Sequence, residues 1–234
     1  MIVPEEKWQA LESGLHGVLD RRLPEWRTED EFEIHCSDLR TGRGPFKGMT
    51  VDDRITFRDE WMNVAEQLKI RIIYRSVHKK SYANWLVKSC GQGIVINPHV
   101  VAFSPLARCI DDYLESLPDK PLGILISDEN KEIVADVEKA IRVLRWDEEG
   151  KLRLNRIVEK GFFIDSATSH PLQLCDLFAM SARKLVERRR GVESKTFDDS
   201  GIKFVERMSW NERVNDSDAI NWLVNQRKKE AARG

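Results

Sequence analysis

From Pro4 to Asp20, apolar side chains recur at Trp8, Leu11, Leu15, Val18 and Leu19, the spacing of one helical face. Pro4, Glu5 and Glu6 suit the first turn of that helix. The segment Glu31-Phe32-Glu33-Ile34-His35-Cys36 alternates apolar with polar residues and predicts a short strand, after which Thr41-Gly42-Arg43-Gly44-Pro45 breaks the chain into a loop. Thr50 followed three residues later by Asp53 resembles a capping box, and it opens a helix whose Phe57, Trp61, Val64 and Leu68 share a face. Lys69 to Val77, rich in β-branched and aromatic residues, reads as another strand.

The second half continues the alternation. A helix is predicted over Pro98 to Leu117, and Leu122-Gly123-Ile124-Leu125-Ile126-Ser127-Asp128 reads as a parallel strand buried on both faces. Lys131 to Trp146 returns to helix with Ile133, Val134, Val137, Ile141 and Leu144 inward. Ile157 to Ile164 gives a further strand ending in Asp165-Ser166, and Pro171 to Arg190 a long helix. Strands alternating with helices imply an α/β layer architecture with a partly parallel sheet. Residues 191–234 are less patterned, although Ser217 suits the cap of a short helix containing Ile220, Trp222, Leu223 and Val224. The expected organisation is one domain over 1–190 and an appendage over 191–234.

Composition narrows the class. The 234 residues carry 38 Lys+Arg against 39 Asp+Glu, a formal net charge of -1, which argues against a protein that coats DNA through a wholly basic surface. Seven Trp residues and 41% hydrophobic residues are those of a folded globule. No apolar tract reaches the ~18 residues of a membrane span. The acidic start, Met1-Ile2-Val3-Pro4-Glu5-Glu6-Lys7, lacks the pattern of a signal peptide, so a cytoplasmic location is expected. Cys36, Cys90, Cys109 and Cys175 are widely spaced and read as reduced thiols.

Several carboxylates stand where packing alone does not favour them. Asp128 ends an apolar run just before a helix, the sheet edge where ligands bind in α/β proteins, or it caps that helix. In the Pro171 helix, Gln173, Asp176 and Met180 form a narrow stripe between two apolar ones. A carboxylate there needs a cation, a structural Arg or solvent. Glu33 and His35, two apart on an extended segment, point the same way and suit a divalent metal or a held water. Cys36 points the other way, so His35 is not its general base. Asp165, at the end of its strand, is a fourth candidate. Arg183, Lys184, Arg188, Arg189 and Arg190 put five basic residues in eight, either a phosphate contact or a solvated helix end set against the dipole.

Taken as a series, Glu33-Ile34-His35, Ile126-Ser127-Asp128-Glu129, Phe163-Ile164-Asp165-Ser166 and Leu172-Gln173-Leu174-Cys175-Asp176-Leu177 resemble the domain of unknown function 3800 family, from about Val3 to Arg190. The resemblance implies a ribonuclease H-like mixed sheet flanked by helices. It also implies an acidic cluster, Glu33, Asp128 and Asp176, that binds Mg²⁺ or Mn²⁺ for phosphodiester hydrolysis of RNA or DNA. His35, Gln173, Arg183, Arg188, Arg189 and Arg190 would then contact substrate. The family's opening strand with Asp-Glu-Ser has no counterpart before Val3-Pro4, which implies a sheet short of that strand and impaired hydrolysis. A non-catalytic module binding nucleic acid or protein is the alternative, with a homodimer through residues 191–234 as a further expectation.

Overall fold

The computed structural model describes residues 1–26, 32–92, 96–129, 134–146, 153–159 and 161–210. In chain order its elements are α1 (Trp8–Arg22), α2 (Cys36–Thr41), α3 (Val51–Gln67), α4 (Lys79–Cys90), α5 (Pro98–Ser116), β1 (Ile126–Asp128), α6 (Val134–Arg145), β2 (Phe162–Ile164), α7 (His170–Arg189) and α8 (Thr196–Met208). Among the described residues the chain is mostly helical, with one small parallel pair of strands, β1 and β2. It is therefore not the ribonuclease H-like mixed sheet flanked by helices that the sequence predicts. Glu31, residues 131–133 and the helix expected after Ser217 lie outside the described residues.

Three of the predicted strands fall short for identifiable reasons. Residues 33–35 join no ladder among the described residues, and the chain turns into α2 at Cys36. The Lys69 to Val77 strand reduces to isolated bridges, Ile2 with Arg71 and Ile72 with Ser209. The run expected to be buried on both faces forms a ladder only at Ile126–Asp128, with Leu122 62% and Ile124 55% exposed.

The described chain divides into two units, one of residues 1–74 and 164–210, the other of residues 75–163. The division expected at 190/191 falls between α7 and α8, which pack on each other inside the first unit.

In the first unit α1, α3, α7 and α8 enclose a core that includes Leu11, Leu15, Trp61, Leu174, Leu177, Ile202 and Val205, and Trp61 donates its indole N–H to the Leu15 carbonyl at 3.1 Å. Thr50 caps α3 where predicted: it accepts the Asp53 N–H at 3.1 Å, and its hydroxyl donates to the Asp53 carboxylate at 2.6 Å in place of the reciprocal backbone bond of a full capping box. Two glycines set the helix separations. A Cβ on Gly14 would lie 2.5 Å from Val64 Cγ1, and one on Gly201 2.6 Å from Ser181 Oγ, so α1 on α3 and α8 on α7 approach as only glycine permits.

In the second unit α5 and α6 share a core of Ala107, Leu114, Leu144, Leu154 and Ile157. Asp111, 1% exposed, organises the segment that leads to β2 by accepting the backbone N–H groups of Asn155 (3.1 Å), Arg156 (2.6 Å) and Ile157 (3.1 Å). Buried polar groups persist only when bonded in this way. Among the described residues no helix is long and apolar enough to cross a membrane.

Candidate functional site

The predicted site residues divide between the two units. Glu33, His35, Gln173 and Asp176 meet along one seam of the first unit, whereas Asp128 ends β1 in the second.

The seam is built from the start of α7. Asp165 accepts the Ala167 N–H at 3.0 Å and shapes a single 3₁₀ turn over Ser166–Thr168, and Ser169 then caps α7 through the Leu172 N–H at 3.4 Å. Asp165 is thus a capping residue on an exposed turn. Residues 32–36 run past this start in extended form, with Phe32, Ile34 and Cys36 buried and Glu33 and His35 outward, the alternation the sequence predicts. Their backbone donors find side chains where a strand would offer carbonyls. Gln173, 1% exposed, accepts the Ile34 N–H at 3.2 Å while its amide donates to the carbonyls of Ser166 (2.9 Å) and Ala167 (3.3 Å). Asp176 accepts the Cys36 N–H at 3.0 Å, a donor at the start of α2 that has no acceptor within the helix itself.

At the other end of α2, Arg54 is buried and donates to the Leu39 and Arg40 carbonyls, each at 2.8 Å. A helix of only six residues is marginal alone. Here a carboxylate stands at its positive end and a guanidinium at its negative end, the arrangement its dipole favours. The Asp176 carboxylate also bears on chemistry nearby. Burial first, and that carboxylate second, push the Cys36 thiol up to about 12, so it is no nucleophile at neutral pH.

Glu33 has both oxygens engaged: one accepts the Ser166 hydroxyl at 2.6 Å and the other lies 3.1 Å from His35 Nε2. The carboxylate therefore stands between hydroxyl and imidazole. A serine nucleophile needs the imidazole in the middle, taking the hydroxyl proton, so this order does not make a hydrolytic triad.

The implied metal is tested by the same contacts. Among the described residues no group of three or more His, Cys, Asp or Glu side chains is arranged to hold a metal ion. Glu33 and Asp176 are already hydrogen-bond acceptors within the fold, and Asp128 belongs to the other unit. Among the described residues, then, no metal-holding group is formed by these side chains.

The basic run at the end of α7 is partly neutralised within the chain, two carboxylates standing against its five cations. Arg183 and Lys184 both reach Glu187, at 2.7 and 2.6 Å, and Arg188 bonds Ser194 at 2.6 Å and pairs with Asp199. Glu187 is held below the usual carboxylate range by its hydrogen bonds to Lys184 and Arg183. Arg189 and Arg190 remain exposed at the helix end.

A second surface was hidden in an apolar run. Leu122, Ile124, Ile126 and Asp128 alternate along β1 and its approach, all exposed, and Phe162 on β2 is 45% exposed beside them. The intervening Gly123 and Leu125 face inward: a Cβ on Gly123 would lie 2.8 Å from Leu114, and Leu125 packs on the α5–α6 core. The outward residues form an apolar strip with a carboxylate at one end. The continuous apolar spelling of Leu122–Ile126 concealed it, because such a run does not say which face is covered. Compared with models of known families, with curated proteins and with solved structures, the chain matches none.

Proposed function

We propose that this chain is a non-catalytic module that binds another protein. The observation that carries the reading is the outer face of the β1–β2 sheet and of the segment leading into β1, where Leu122, Ile124, Ile126 and Phe162 are exposed. Contiguous apolar surface of this kind marks interaction sites more often than isolated exposed residues do. Two further observations support it. Glu33, Gln173 and Asp176, three of the polar residues that a metal-dependent nuclease would use, are engaged in holding residues 32–36 to the start of α7, and three of the five basic residues expected to meet phosphates are paired with carboxylates. Protein partners therefore suit the exposed chemistry better than nucleic acid does.

The test has two arms. A photo-crosslinker at position 124 in the producing cell gives discrete protein adducts, whereas one at position 183 does not. The purified chain, incubated in Mn²⁺ with single-stranded RNA, single-stranded DNA and duplexes, leaves them intact. Cleavage abolished by Asp176→Asn overturns the reading and establishes a nuclease, and the absence of protein adducts at position 124 overturns it independently.

A further inference from the structure

The strip on the second unit has dimensions that say what covers it. Adjacent strands lie about 4.8 Å apart, so two strands present a face roughly 10 Å wide, the diameter of one helix with its side chains. From Leu122 to Ile126 is four residue steps, or about 13 Å at ~3.3 Å each, which a helix spans in roughly nine residues at 1.5 Å per residue. Such a helix places three apolar anchors, at i, i+4 and i+7, along the strip.

Area and charge narrow the occupant further. An aromatic side chain has on the order of 150–250 Å² to bury, and Leu or Ile lies toward the lower end of that range. Leu122, Ile124, Ile126 and Phe162, 62, 55, 36 and 45% exposed, therefore offer on the order of 400 Å². That is about half of the ~800 Å² each partner contributes to a standard domain-sized interface, so the face suits one short element of a partner rather than a second copy of this chain. The strip is apolar at its Leu122 end and acidic at the other, where Asp128 and Glu129 are exposed. Lys120, the cation nearest in sequence at the Leu122 end, already pairs with Glu115 at 2.6 Å.

We propose that the outer face of the β1–β2 sheet receives one amphipathic helix of a partner protein. Its apolar stripe lies on Leu122, Ile124, Ile126 and Phe162, and a Lys or Arg on its flank meets Asp128. The layer rule supplies the physical reason: a sheet that is apolar on both faces buries both, and the inner face of this one already lies against α5. This inference rests on the protein-binding reading and adds the form and charge of the partner.

A displayed library of single-helix peptides, sorted against the full-length chain and counter-sorted against Ile124→Lys, tests it. Leu122→Lys serves as a second variant, and circular dichroism confirms that both fold. Enriched peptides are expected to carry apolar residues at helical spacing with a basic flank. They should bind the native chain at least tenfold more tightly than either variant, and Asp128→Lys should weaken the basic ones severalfold. No enrichment, or equal binding to the variants, overturns the proposal. So does a period-two apolar pattern, which assigns an added strand, and so does competition by a peptide of residues 211–234, which assigns the chain's own tail. A concentration-dependent dimer dissolved by Ile124→Lys assigns a second copy and overturns it too. Any of these can occur while protein adducts at position 124 persist, so failure of the helix is distinguishable from failure of protein binding.

Discussion

Gln173 is the residue through which the seam can be tested most directly. Its carboxamide satisfies one buried donor, the Ile34 N–H, and two carbonyls at the turn before α7. Gln173→Met keeps the shape and removes all three bonds. The Ile34 amide, in a residue 1% exposed, is then stranded, at about 1–3 kcal/mol. The Ser166 and Ala167 carbonyls belong to partly buried residues near the surface and recover water, so they add about 1 kcal/mol together. A loss of about 2–4 kcal/mol follows, which is a large part of an ordinary domain's stability of ~5–15 kcal/mol. At ~2–4 °C per kcal/mol for a chain of this size, Tm falls by about 4–16 °C.

Equilibrium unfolding in urea and amide exchange at Ile34 and Cys36 measure the effect. If Gln173→Met unfolds within about 0.5 kcal/mol of the native chain, inside the scatter of ordinary surface changes, and the Ile34 amide stays protected, Gln173 is not holding the segment. Gln173→Glu sharpens the test. The introduced carboxylate faces two carbonyl oxygens, so the fold favours its neutral form and raises its pKa above the unfolded value. Stability is then lowest at neutral pH and recovers as pH falls into the carboxylate range.

Asp176→Ala should cost about 1 kcal/mol, the worth of a capping acceptor, while Asp176→Asn retains an acceptor and costs less; stabilisation by either, seen in thermal melts, would contradict its role at α2. Cys36 should resist disulfide reagents in the folded state at pH 8. Because its folded pKa, about 12, lies above the unfolded value, stability falls as pH rises from about 9 to 12 by up to ~1.4 kcal/mol per unit, and Cys36→Ser should flatten that limb. Gly201→Ala drives a Cβ against Ser181 Oγ and should cost about 1–3 kcal/mol, with much of the loss recovered in combination with Ser181→Gly. Replacing Arg188, Arg189 and Arg190 by Ala should leave no salt-dependent RNA or DNA binding to lose, as read by fluorescence anisotropy across a salt series, and should cost under about 1 kcal/mol because the pairs are exposed.

What the sequence made legible was the set of long amphipathic helices. Leu11 with Leu15, Phe57 with Trp61, and Leu174 with Leu177 and Phe178 each declare a buried stripe by spacing, and all of these side chains are buried. The Thr50–Asp53 cap is local chemistry and formed where predicted. The helix over Thr196–Met208 also carries a readable stripe, Phe197, Phe204, Val205 and Met208, although Gly201 interrupts it and weakens its intrinsic propensity. The reason for that glycine is the crossing with α7, a tertiary fact that no local pattern contains.

The failure at residues 31–36 is more instructive, because the inference about side-chain direction held while the inference about the sheet did not. Alternation reports that a segment is extended and half buried; it does not report what accepts its N–H groups. In an extended segment the N–H groups of residues two apart point to the same side, about 6.6 Å apart, while residues three apart on a helix rise only about 4.5 Å. Gln173 and Asp176 meet that mismatch with side chains of unequal length, the longer one reaching Ile34 and the shorter one Cys36. A helix has in this way taken the place of a neighbouring strand. The polar stripe on α7 that suggested a metal site is the same stripe that performs this pairing, so one physical demand, satisfying two backbone donors, accounts for a Gln and an Asp set between apolar neighbours. A ligand-binding role for either residue must be tested against that demand first, and the Gln173→Met exchange measurement does so: loss of protection at Ile34 with Cys36 still protected assigns each donor to its own acceptor.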